Sequence, residues 1–138
     1  MPPSKIKLIG LAASLAELLG AFFPWFSGYS ALEISTWTAL VPEYFVYQLP
    51  LVAGFTSLVG SCVALAHDRL SKPGFFLTVC GTVLMLVFVA DFLRLEFVYL
   101  EAAQFGFFTT FSGLLVALVY QFAYLAIQAR KSPSEVER

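Results

Sequence analysis

Four stretches of this chain are apolar for about the length a helix needs to cross a bilayer. A hydrocarbon core near 30 Å thick takes roughly 20 helical residues. The stretches fall at about residues 6–26, 47–67, 74–103 and 107–130. In lipid every backbone N–H and C=O must be satisfied within the chain, which leaves helices or a closed barrel. Apolar runs of this length select helices, the third being apolar to Ala90 and continuing with scattered charges. Charge agrees: 12% of the 138 residues are charged, against about 25% in soluble domains. The charges sit mainly at the ends and in short gaps between runs. The expected fold is all-α, an integral membrane four-helix bundle forming one domain over residues 1–138.

The connections and basic residues set the expected orientation. The second and third runs are joined by "HDRLSKPG", a short turn with Pro73 and Gly74, both turn formers. Lys5 and Lys7 precede the first run. Arg69 and Lys72 lie in that turn, and Arg130, Lys131 and Arg138 follow the fourth run. Seven of the eight basic residues thus fall on one side, with Arg94 the exception. Basic loops stay inside, so both termini and the turn are expected to be cytoplasmic. The N-terminal run is too long for a cleaved signal peptide and lacks a small-x-small cleavage site. The expected location is the prokaryotic cytoplasmic membrane, multi-pass. Cys62 and Cys80 lie at similar depth on adjacent helices and read as reduced packing residues.

On the outer side, "ALEISTW" partly alternates and suits a short strand or an interfacial segment. "RLEFVYLEAAQFG" has few breakers before Gly106. It predicts a long third helix continuing to about Ala103. "FFPWFSGY" closes the first run. Trp25, Trp37, Tyr44 and Tyr47 are expected as interfacial anchors at headgroup level. The tail "KSPSEVER" reads as a polar end. A first helix ending in "GAFFPWF", then a loop with small residues and three more helices, resembles small prokaryotic four-helix membrane proteins. The layout also resembles the claudin-type tetraspan arrangement. The claudin signature, Gly-Leu-Trp with two loop cysteines, is absent, and no functional residue carries over.

Glu17 is the residue that most asks for a function. It lies near mid-depth of the first run, in "LAASLAELLG". An acid there costs roughly 2.5 kcal/mol or more, so such groups usually face the bundle interior. Ala12, Ala16 and Gly20 form a small-residue row beside it, and Ala13 and Ala21 flank it at one turn each way. Small residues let helices approach closely. The expected partners of its carboxyl are Ser57, Ser61, Thr78, Thr82, Tyr120 or Gln121. The string "LAELLG" resembles the first helix of small multidrug transporters, which use such a Glu, and nothing else in the chain does.

Asp91 and Arg94 are three residues apart, a spacing that allows an ion pair on one helix face. Glu33, Glu43, Glu96 and Glu101 make the outer side acidic. His67 is the single histidine, so a two-histidine haem site or acid–base relay within one chain is excluded, and no metal set of the usual type is at hand. No glycine-rich phosphate loop or catalytic constellation is present, and a net charge of −1 without a basic patch excludes nucleic acid. Four helices offer little interior. Most of Phe22, Phe23, Phe26, Phe75, Phe76, Phe88, Phe92, Phe107, Phe108 and Phe111 are therefore expected to face lipid or another protein.

These features point to a non-enzymatic interaction or assembly protein with no cofactor beyond bound lipid. Its expected partners are the lipid bilayer and other membrane subunits or copies of itself. The alternative is a small proton- or cation-coupled transporter or channel using Glu17.

Overall fold

The computed structural model describes residues 3–95 and 97–131. Over these the fold is all-α with one short hairpin. The order is α1 (Pro3–Gly20), β1 (Pro24–Phe26), β2 (Tyr29–Ser30), α2 (Ala31–Ser35), α3 (Leu49–Ala66), α4 (Ser71–Leu95) and α5 (Phe105–Lys131). Segments of 3₁₀ helix lie at Thr36–Ala39, Pro42–Gln48, Asp68–Leu70 and Phe97–Ala102. Glu96 and residues 132–138, including Arg138, lie outside the described residues.

Three helical stretches, Pro42–Ala66, Asp68–Arg94 and Phe105–Lys131, are long and apolar enough to cross a membrane. The chain thus has the make-up of a multi-pass membrane protein. Helix α1 is outside this set. It has 18 residues, about 27 Å at roughly 1.5 Å per residue, and it carries Lys5, Lys7 and Glu17.

Its end corrects the expectation of a helix to Phe26. Pro24 disfavours helical backbone at the residue before it. The last turn tightens into i→i−3 bonds, from Ala21 N to Leu18 O (3.2 Å), Phe22 N to Leu19 O (3.0 Å) and Phe23 N to Gly20 O (3.3 Å). The chain then reverses in a hairpin, with Pro24 opposite Ser30 and Phe26 opposite Tyr29. Ser27 and Gly28 have φ of 51° and 84°, the positive pair that a type I′ hairpin turn requires.

"ALEISTW" is a helix, not a strand. Ser30 accepts from Glu33 N (3.2 Å) while Glu33 Oε2 accepts from Ser30 N (2.8 Å), a complete capping box that starts α2. The third long helix, α4, stops at Leu95 rather than near Ala103, and at 25 residues it is shorter than the 27-residue α5. Tertiary pairing stops it: Phe26 forms a β-bridge to Ala103, and Gln104 N donates to Trp25 O at 2.8 Å. Both contacts need backbone that a helix would withhold.

Helix α1 packs on α3 and α5, and α3 packs on α4. Helices α4 and α5 meet mainly through long side chains. Near the Asp68–Leu70 turn, Phe75 and Tyr124 stack at 4.4 Å and the Ser71 and Tyr124 hydroxyls are 3.1 Å apart. At the other end, residues 21–48 and 97–104 form a cap over the helix ends. Its core is Trp25, Phe26, Ile34, Tyr47, Phe88, Phe92 and Phe107.

Candidate functional site

Two places concentrate chemistry, the buried carboxyl of Glu17 and a cavity in the cap.

Glu17 is fully buried. It lies where α1 and α5 pack closely. A Cβ on Gly113 would come within 2.7 Å of Glu17 N and 2.8 Å of Ala13 O, and one on Gly10 within 2.8 Å of the Tyr120 ring. The small-residue row differs from the one read from sequence. Ala13, Glu17, Gly20 and Ala21 are buried, whereas Ala12 is exposed and Ala16 half-buried. Ala12 and Ala16 line an external groove along this seam with Ala13, Ser112, Gly113 and Val116. The large apolar side chains that α1 exposes are Leu8, Leu15 and Leu19.

The four long helices bury further hydroxyls and an amide: Ser14, Ser57, Ser61, Thr78, Thr82, Thr110 and Gln121. Most are already bonded. Ser14 and Ser61 share a hydrogen bond at 3.0 Å. Gln121 donates to Thr82 Oγ1 at 2.5 Å and to Thr78 O at 3.4 Å. Thr78 and Thr82 donate back to their own helix. None of the expected partners reaches the carboxyl, and both Glu17 oxygens and Ser57 Oγ are buried without a hydrogen bond. Thr110 donates to the Glu17 backbone carbonyl at 3.3 Å. Thr110 was not among the residues singled out from sequence, although the Gly106, Thr110, Gly113 spacing on α5 is the same small-residue signal that marked α1.

Asp91 and Arg94 make no ion pair. Arg94 is exposed and Asp91 half-buried, so the permitted i,i+3 spacing is not used. The pair that forms links Lys7 Nζ to Asp68 Oδ1 at 3.0 Å. It ties the start of α1 to the Asp68–Leu70 turn. Cys62 is exposed and Cys80 intermediate, both free, so Cys62 is no interior packing residue. His67 is exposed at the end of α3. Among the described residues no group of three His, Cys, Asp or Glu side chains is placed to hold a metal.

The anchor residues divide. Trp25 is fully buried within the protein. Its Nε1 donates to Gly20 O at 2.7 Å, and its ring meets Phe107 at 5.3 Å, Phe88 at 5.6 Å and Tyr47 at 6.2 Å. Tyr47 is buried too, whereas Trp37 and Tyr44 are half-buried. The phenylalanines divide in the same way. Phe26, Phe88, Phe92 and Phe107 are core, while Phe22, Phe23, Phe76 and Phe108 are exposed. The expectation that most face outward underestimated how many rings a cap over four helix ends can absorb.

Trp37, Tyr44 and Tyr47 line a cavity of about 280 Å³ with Phe26, Tyr29 and Tyr99. Glu33, Glu43 and Glu101 are exposed on the same cap segments. Comparison with family models, curated proteins and solved structures finds no match for this chain.

Proposed function

We propose that α1, α3, α4 and α5 all span a prokaryotic cytoplasmic membrane, with both termini and the Asp68–Leu70 turn cytoplasmic and the cap outside. Helix α1 is short and charged, but it lies antiparallel to α5, with Gly20 beside Thr110 and Gly10 beside Tyr120. Lys7 pairs with Asp68 of the turn, and Glu17 is buried against α5. The chain acts without catalysis, as an interaction or assembly protein: an accessory subunit of a larger membrane complex or a homo-oligomer.

The observation carrying this reading is the sealed surround of Glu17. Transport needs a carboxyl lining a water-reached cavity, and Glu17 is buried at a backbone-close helix seam. The concave features of the described residues open outward instead. They include the Ala12–Ser112 groove, a groove between Leu18, Phe22, Val52 and Phe55, a hollow at the His67–Leu70 turn and the cap cavity. Outward grooves on a small membrane protein suit contact with another chain or a lipid. The test is the native mass of the full chain in lipid nanodiscs, with every co-purifying chain identified. A stoichiometric partner or a defined homo-oligomer is expected. A monomer alone overturns the reading.

One observation favours the second reading, proton- or cation-coupled transport: the Glu17 carboxyl has no hydrogen-bond partner. A buried polar group left unsatisfied asks for an explanation. Reconstituted protein in a proton-flux assay decides it. Flux abolished by Glu17→Gln supports transport, and no flux in the wild-type chain removes it.

A further inference from the structure

The cap cavity has the build of an aromatic cage. Tyr47, Ile34 and Phe26 form a buried floor, and Tyr29 and Tyr99, each about half exposed, form the rim. The rings meet at steep angles: Tyr29 to Trp37 at 75° and 4.7 Å, Trp37 to Tyr44 at 52° and 6.4 Å, Tyr44 to Tyr47 at 89° and 5.8 Å. Tyr99 closes on Phe26 at 52° and 6.1 Å. Rings in several planes around one cavity present π faces and edges from different sides, and π faces attract cations within about 6 Å. The charge of the cap has the matching sign. Residues 21–48 and 97–104 contain Glu33, Glu43 and Glu101 and no Lys, Arg or His. At about 280 Å³, the cavity falls just below the roughly 300–1,000 Å³ of sites for drug-sized ligands, which suits a small head group.

We propose that this cavity binds a quaternary ammonium group. The proposal rests on the reading above that the cap is the outward, contacting end of the chain. A compact cation without N–H donors gives up less hydration on leaving water for an aromatic wall than a primary ammonium, which would also forfeit hydrogen bonds. Two sources carry the same chemistry, the choline head of a membrane lipid and a free quaternary ammonium solute. The rim residues Tyr29 and Tyr99 lie on segments that follow the ends of α1 and α4, at headgroup level in the proposed orientation, and so within reach of either.

The experiment uses the full chain in nanodiscs of phosphatidylglycerol alone. Tetramethylammonium chloride is titrated while tryptophan emission is read, with sodium chloride at matched ionic strength as control. A saturable change is expected from tetramethylammonium only. Tyr99→Leu weakens it roughly fivefold, and Tyr99→Phe, which keeps the ring, leaves it unchanged. Tyr29→Leu, at the other side of the rim, is the second variant. In phosphatidylcholine nanodiscs a midpoint at least tenfold higher identifies the lipid head as occupant, and an unchanged midpoint identifies a free solute. Absence of saturation, a response in both leucine variants identical to that of the wild-type chain, or an equal response to methylguanidinium overturns the proposal. A failed titration with a stoichiometric complex retained defeats the cavity assignment alone. A responding monomer defeats the assembly reading alone.

Discussion

Trp25 joins parts of the chain that are far apart in sequence. Its indole N–H caps the α1 carbonyl of Gly20, its own carbonyl accepts from Gln104, and its ring sits among Phe88 of α4 and Phe107 of α5. Trp25→Ala should lower stability by about 3 kcal/mol or more through the cavity and lost contacts, read as a fall in unfolding temperature in detergent. Trp25→Phe should lose less, chiefly the hydrogen bond. The sequence marked Trp25 as an anchor because Trp at a helix end usually faces the headgroups. What it could not show is that the cap folds back over the ring. Glu17 is the opposite case. Its burial was legible from small neighbours, but its lack of a partner was not, because Ser61, Thr82 and Gln121 are engaged elsewhere. An unsatisfied buried acceptor costs about 1–3 kcal/mol. Glu17→Met, similar in length and apolar, should therefore raise the unfolding temperature. A lowered temperature would mean that the carboxyl is bonded to an ordered water.

At the scale of elements, the α1–α5 seam depends on missing side chains. Gly113→Ala places a methyl 2.7 Å from Glu17 N and 2.8 Å from Ala13 O. Backbone atoms cannot rotate away, so the helices must separate. The expected loss is about 1–3 kcal/mol. Ser112→Ala, on the exposed side of the same helix, should stay within about 0.5 kcal/mol. The hairpin between α1 and α2 depends on positive φ at Ser27 and Gly28. A β-branched residue tolerates that backbone poorly, so Ser27→Val should cost about 1–2 kcal/mol. The loss should appear as faster amide exchange at Gly28, whose N–H donates to Gln104 Oε1 at 2.7 Å. The capping box of α2 was written in the sequence as Ser30-Ala31-Leu32-Glu33. It was masked by the partial alternation around it, which favours a strand by periodicity alone.

For the whole molecule, the proposed orientation can be tested by single cysteines in a Cys62→Ala, Cys80→Ala background. An impermeant maleimide should label Ser27→Cys on intact cells, and Arg69→Cys only after permeabilisation. The reverse pattern would invert the topology. The amino-acid sequence by itself determined that the chain is helical, with helices long and apolar enough to cross a membrane. That follows from length and apolarity, which act locally: a run of twenty apolar residues in lipid has no alternative to satisfying its own backbone. It also determined the short turn between α3 and α4 and the close-packing character of α1, since Pro, Gly and Ala act through their own geometry. Only the tertiary structure decided where α1 and α4 stop, which aromatic rings are core, and that Asp91 and Arg94 stay apart while Lys7 finds Asp68. Each of these depends on groups from segments tens of residues apart competing for one partner or one space, as Gln104 and Ala103 do when they pair with Trp25 and Phe26 and end the helical course of the chain after α4.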